Sequence, residues 1–255
     1  MEVSRVVITK RRNAVSQVQT VTIPGKQGLA AVVLDRQLPA AEQVYGILKQ
    51  AIISCRILPN EPVSENRMCS LFGVSRSPVR IALTRLAEDG LIEIFPQRGS
   101  FVAPIKLVQV REAQFARAAL EVALLEQAAM SWTAEASRLA RAEVAMQTQH
   151  ANTGDVWEFY LDNERFHAAF AHCAGLKGVW VTVQSVKTLL DRIGHLANPV
   201  PGHMQRIVAE HIAILDHLDA GDKLKAIEAM RSHINSVERT IKRLRPLFPD
   251  YFVGV

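Results

Sequence analysis

The stretch LDNERFHAAFAH (161–172) places Asp162, Asn163, Glu164, His167 and His172 close together along one segment. Imidazole, amide and carboxylate groups at this density can ligate a divalent cation, line a polar site or satisfy one another in a helix core. On an ideal helix Asn163 lies about 40° and Glu164 about 60° from His167, so these three share a face. Asp162 and His172, each five positions from His167, fall about 140° away and point elsewhere. Further along, His211 shares a face with Ile207 and Leu215, and His233 with Met230 and Val237. Those apolar companions turn both histidines inward. Three inward histidines on three helices can converge on a cation with an oxygen donor alongside. Spacing alone equally allows three satisfied core histidines.

A second constellation implies different chemistry. In GVSRSPVRIALTRLAEDGLI (73–92), Val79, Ala82, Leu83 and Leu86 form one apolar stripe of a helix. Arg76 and Arg80, with Thr84 one turn further on, lie away from that stripe. The guanidinium fork matches phosphate oxygens as well as the O6/N7 edge of guanine. Ser75 and Ser77 sit at the helix start, where hydroxyls, unpaired N–H groups and the helix dipole favour a phosphate. The alternative is a solvated face laced with Arg–Glu pairs.

The elements that must hold these residues follow from periodicity and punctuation. Val44, Ile47, Leu48, Ala51 and Ile52 have the spacing of an amphipathic helix, and Pro59 and Pro62 bracket a loop. Ser64 is placed to cap a short helix to Phe72, Gly73-Val74 turns the chain, and Ser75 is placed to cap a third helix that Gly90 ends. LIEIF, a PQRG turn and SFVAP then read as a hairpin with Gln97, Arg98 and Gly99 at its tip. Three short helices and a hairpin make a winged helix-turn-helix over residues 38–105. The rest, 106–255, reads as an all-α antiparallel bundle with helices near 107–131, 133–150, 154–173, 176–197, 203–219 and 222–245. The last of these carries Ile227, Met230, Ile234, Val237, Ile241 and Leu244, a stripe suited to a bundle core or a partner helix. The fold class is therefore mainly α. Residues 1–37 lack periodicity and read as a flexible extension, although QVQTVTI can pair as a short strand and KRR (10–12) can meet phosphates.

Bulk properties agree with this division. The net charge of +5 leans to the N-terminal end: six Lys/Arg against two acids in 1–37, and a balanced 106–255. A polyanionic partner for the N-terminal end fits that bias. All eight histidines lie after residue 149, so the two halves carry different chemistry. No apolar run approaches the length of a membrane span. The opening MEVSRVVITKRRN lacks the apolar core of a secretory signal, and the three cysteines are scattered, so a cytoplasmic protein is expected.

Residues 38–105 resemble the DNA-binding domain of the GntR superfamily of bacterial transcription regulators, through AIISCRILPNEPVSE (51–65), GVSRSPVRIALTRLAEDGLI and PQRGSFVAPI (96–105). The resemblance implies DNA contacts from Arg76, Ser77, Pro78, Arg80, Arg98 and Gly99, with Arg67 beside Asn66, where many members have a contacting arginine. Cys55 and Asn60 stand at usual glycine positions, and Ile81 replaces a common glutamate. Residues 108–245 are similar to the FCD effector domain of the FadR subfamily, through FARAALE (115–121), NERFHAAFAHCAG (163–175) and AEHIAILDHLDAGDKLKAIEAMRSHI (209–234). In metal-binding members the corresponding positions hold one divalent ion, often zinc. They map to Asn163, His167, His211 and His233, with asparagine as the uncharged variant. Arg117 falls where the family often faces its effector, and an internal salt bridge to Glu121 or Glu164 is its bland alternative.

What these readings imply is a homodimeric regulator that binds a palindromic double-stranded operator and senses a small carboxylate, with metal assistance, in its bundle. His150, His195, His203 and His217 read as surface or structural residues, with His195 and Arg192 as weaker candidates for the same cavity. A competing reading is a metal-dependent hydrolase or isomerase tethered to DNA, with Glu164 as the nearby carboxylate. No nucleophile elbow, phosphate loop or dinucleotide fingerprint supports it, and PGKQG (24–28) lacks the spacing. A third reading leaves the bundle with dimerisation only.

Overall fold

The computed structural model describes residues 5–8, 19–22, 29 and 32–254. They form two compact units: residues 1–107 with 245–255, and residues 108–244.

In the first unit, β1 (Arg5–Ile8) and β2 (Gln19–Thr22) pair antiparallel. Most of the expected N-terminal extension, including KRR, lies outside the described residues. Helices α1 (Ala40–Ile53), α2 (Glu65–Phe72) and α3 (Arg76–Glu88) follow, then the antiparallel hairpin β3 (Ile92–Phe95) and β4 (Gly99–Val102). Val44, Leu48, Ala51 and Ile52 of α1 meet Val79, Ala82, Leu83 and Leu86 of α3 in one core, closed by Leu91, Ile92 and Val102. Fully burying an aliphatic side chain of this size contributes about 1.5–3 kcal/mol, which is why the apolar stripes decide how the helices face. Ser64 accepts a hydrogen bond from the Arg67 N–H and so caps α2. Gly90, at φ +71, ends α3, and Leu91 N–H returns to the Leu86 carbonyl at 2.8 Å.

The unit is completed by its C-terminal tail. Beyond Leu244, Pro246 and Pro249 prevent helix continuation, and β6 (Phe252–Val253) pairs parallel with β5 (Ile105–Lys106). Residues 245–255, read from the sequence with the bundle, thus group with the first unit. The Asn60 amide donates to the Asp250 carbonyl at 3.1 Å.

The second unit contains α4 (Leu107–Met130), α5 (Ala134–Thr153), α6 (Val156–Cys173), α7 (Lys177–Ala197), α8 (His203–Asp219), α9 (Lys223–Asn235) and α10 (Val237–Leu244). Thr133, Asp155 and Asp222 cap α5, α6 and α9 by accepting backbone N–H groups. Helix α5 packs on α6 and α8, α8 on α9, and α6 on α7. The short loops between α5, α6 and α7, and between α8 and α9, make those neighbours antiparallel. Leu125, Phe166, Phe170, Ile214, Leu215 and Met230 form the centre of the core. The single helix expected over 222–245 is divided at Ser236. Its N–H bonds to the His233 carbonyl three residues back, at 3.1 Å, and so tightens the turn.

Cys55 and Asn60 hold φ values of +54° and +68°, the left-handed conformation that glycine would adopt without strain. Asparagine tolerates this region better than alanine. Asn60→Ala is expected to lower the unfolding free energy by about 1 kcal/mol, and Asn60→Gly by less, as measured by urea denaturation.

Candidate functional site

The apolar stripe of α3 leaves its other face open. Arg76, Ser77 and Arg80 are exposed there and Pro78 is half-buried. Proline costs little at this point because first-turn N–H groups have no intrahelical partner. Ser75 occupies the N-cap position, but its hydroxyl makes no capping bond, so the expected side-chain cap is not formed. Arg67 on α2 and Arg98 and Gly99 on the hairpin are exposed as well. Gln97, at φ +60, turns the tip, and the Arg98 guanidinium lies 5.5 Å from the Phe95 ring centre. One Arg–Glu pair does form on this surface: Arg80 lies 3.3 Å from Glu65, with two-thirds of the arginine side chain still exposed. An exposed pair of this kind is worth at most about 1 kcal/mol and yields readily to a better anion. Arg85 is drawn away by Glu42 at 2.6 Å and lies over the Tyr45 ring.

In the bundle, α6, α8 and α9 bring His167, His211 and His233 together. All three are buried, and one ring nitrogen from each lies within 4.8 Å of the other two. Each Nδ1 has its own partner. His167 Nδ1 lies 2.5 Å from Glu121 Oε2, His211 Nδ1 lies 2.7 Å from Gln147 Oε1, and His233 Nδ1 lies 2.8 Å from Glu210 Oε2. Since carboxylates and amide oxygens only accept, the contacts of His211 and His233 place the proton on Nδ1 and turn Nε2 inward, whereas the His167 contact is at ion-pair distance without hydrogen-bond geometry. His211 Nε2 and His233 Nε2 are 3.2 Å apart, and neither buried ring nitrogen of His167 has a hydrogen-bond partner. Burial pushes the His167 imidazole down to about 4 and, joined by the neighbouring His233, drives His211 well below the ordinary range. Imidazoles with ring nitrogens converging on one point suit a divalent metal, and outer carboxylates of this kind raise ligand basicity. The donor set therefore fits a zinc-like ion.

Beside the cluster is a cavity of about 100 Å³ whose lining includes Arg117, Asn163, Lys187, Asp191, His203 and His233. Asn163 thus faces the same space as His233. Arg117 makes the salt bridge foreseen as its bland alternative, Nε to Glu121 Oε1 at 2.6 Å. Burial would raise the Glu121 carboxyl, but Arg117 and His167 outweigh it and hold the group well below the usual carboxylate range. Burial also works against the Lys187 charge, yet Asp191 and Glu164 (2.7 Å) keep it protonated. Asp162 is directed away from His167, His211 and His233, to His150 at 2.6 Å and to Arg165, and His172 is exposed.

Sequence reasoning did not single out Gln147, Lys187 or Glu210. Glu210 adjoins His211 but serves His233 on another helix, so no local spacing signals it. His203, read as surface or structural, is buried and lines the cavity. His195 is buried, stacked on Trp157 and tilted against Tyr160.

Comparison with known proteins agrees with these two constellations. Residues 40–102 match the family described as bacterial regulatory proteins, gntR family, and residues 112–236 match the FCD domain. The chain is 30% identical to the HTH-type transcriptional repressor RspR of Escherichia coli, over 84% of this chain and 94% of that one. It is 33% identical to an HTH-type transcriptional regulator of Streptomyces ambofaciens, over 82% of this chain and 88% of that one. The solved structure of E. coli McbR/YncC shares its fold, with a TM-score of 0.68 at 18% identity, covering 81% of this chain and 99% of that one. The chain belongs to the gntR family of bacterial transcription regulators, with an FCD domain as its second half. It is a DNA-binding transcription regulator, and the family and its relatives set aside the enzyme reading. Among the described residues, no helix is long and apolar enough to cross a membrane.

Burial, followed by Arg206 and Arg243, pushes His203 down to about 4. The unfolded chain takes up a proton near pH 6.5 that the folded bundle refuses until about 4, so stability is full above that range and falls as pH drops through it. Between pH 7 and 5 this histidine alone is expected to cost about 2 kcal/mol. His203→Gln should remove that share of the decline in denaturation curves recorded at pH 7, 6 and 5.

Proposed function

We propose that the protein binds a palindromic operator as a homodimer and senses a small organic carboxylate in its bundle, with a divalent metal held by Asn163, His167, His211 and His233. The observation that carries this reading is the three buried imidazoles, each with Nδ1 beside a side-chain oxygen and one ring nitrogen of each within 4.8 Å of the others. When bound, a zinc-like ion supplies a positive centre and open coordination positions for an oxygen ligand. Asn163 offers an amide oxygen from the cavity wall, and Arg117 and Lys187 add cationic donors to an incoming carboxylate. Ligand uptake would then bias how the paired DNA-binding units are presented, and so the affinity for DNA.

For the operator, Ser75, Arg76, Ser77, Pro78, Arg80 and Arg67, with Arg98 and Gly99 of the wing, form the contacting set. A second copy finds a face for itself on α4, where Phe115 is 78% exposed beside Ala118, Ala119 and Ala123.

Arg76→Ala or Arg80→Ala is expected to weaken operator binding about tenfold or more while leaving the bundle folded, read by fluorescence anisotropy. His211→Ala or His233→Ala should abolish bound metal in elemental analysis of purified protein and abolish calorimetric heat on titration with a carboxylate panel, with DNA binding retained. Metal-replete wild-type protein that retains no ion would overturn the sensing site, and unchanged operator affinity in the arginine variants would overturn the contacting set.

A further inference from the structure

Ile81 lies on the face of α3 assigned to DNA. Ser77, Arg80, Ile81 and Thr84 follow at i, i+3, i+4 and i+7, so they occupy about 100° of the helix circumference. All four are exposed, and Ile81 is 50% exposed. Val79, Ala82, Leu83 and Leu86, each at most 1% exposed, already fill the side of α3 that faces the unit's core, and Ile81 takes no part in that core.

Single exposed aliphatic residues are common on protein surfaces. Ile81 differs in its surroundings. It is an apolar side chain between Arg80 and Thr84 on a basic helix face, with Arg76 at the helix start and Arg98 on the hairpin. Isoleucine neither donates nor accepts a hydrogen bond, so it gains nothing from a phosphate or from the polar edges of guanine, cytosine or adenine. One base edge in the major groove presents an apolar group, the C5-methyl of thymine. The charges around Ile81 draw a duplex onto this face, and the duplex supplies the apolar surface that the folded chain does not.

We propose that Ile81 is a specificity-determining residue that reads a thymine methyl in each operator half-site. This rests on α3 being the helix that enters the major groove. Arg76 and Arg80 provide the ionic and guanine-type contacts, and Ile81 sets the neighbouring base by apolar contact. The effect is local to one base per half-site, because only one side chain on the stripe is aliphatic.

The test uses the full chain and an operator selected from random duplex DNA. Each thymine is replaced in turn by deoxyuridine, which removes only the methyl group, and affinities are measured for wild type, Ile81→Ala and Arg76→Ala. One thymine per half-site, at symmetry-related positions, should weaken wild-type binding by about fourfold when replaced, the value of one buried methyl-sized group. Ile81→Ala should weaken binding to the thymine operator by a similar factor or more, and should no longer distinguish thymine from uracil at that position. Its unchanged circular dichroism and melting temperature would exclude a folding effect. If Arg76→Ala loses operator binding but no thymine replacement matters to wild type, or Ile81→Ala keeps the full thymine preference, Ile81 does not read the methyl. If Arg76→Ala binds as tightly as wild type, the recognition-helix assignment fails and the role of Ile81 fails with it.

Discussion

Glu121 is a buried carboxylate shared between two groups. One oxygen meets the Arg117 guanidinium and the other meets His167 Nδ1. Removing such a group from water is costly unless both oxygens are compensated, and here each is. The geometry of the bundle's polar interior depends on that compensation. The contact with Glu121 fixes the His167 ring beside those of His211 and His233. The same carboxylate holds Arg117 against the cavity wall as a fixed cation. Gln147 and Glu210 repeat the first role for the other two imidazoles.

The second buried cation, Lys187, is held on a similar principle by Glu164 and Asp191. Arginine and lysine are thereby kept charged beside a small cavity, even though burial disfavours their charges. With each of these side chains held by a partner, little side-chain freedom remains to be lost if a ligand enters the cavity. In the DNA-binding unit the arrangement is the opposite. Arg76 and Arg80 are exposed, lightly paired at most, and carried by a helix whose other face is fully packed. That contrast suits an outward surface for a large polyanion and an enclosed polar interior in the bundle.

The DNA-binding half was legible from local signals. Val79, Ala82, Leu83 and Leu86 repeat at helical spacing, Gly73 and Gly90 punctuate the chain, and β-branched and aromatic runs flank PQRG. Each signal spans a few residues, and all of these elements formed near their expected limits. The break at Ser236 was not legible, because the stripe from Ile227 to Leu244 continues across it while one tightened hydrogen bond divides the helix. The tail beyond Leu244 was equally opaque: two residues of strand pair with a segment far earlier in the chain.

The sequence by itself determined the helix faces, and with them the inward course of His167, His211 and His233 and the exclusion of Asp162 and His172. Side-chain direction on a helix follows from residue spacing alone, so these conclusions needed no fold. Only tertiary structure decided which partners those histidines have. Glu121, Gln147 and Glu210 reach them from α4, α5 and α8. Lys187 enters the same region from α7, and His203 lines the cavity from the start of α8. Those pairings are set by how whole helices pack, and packing joins residues whose separation in sequence carries no period to be read.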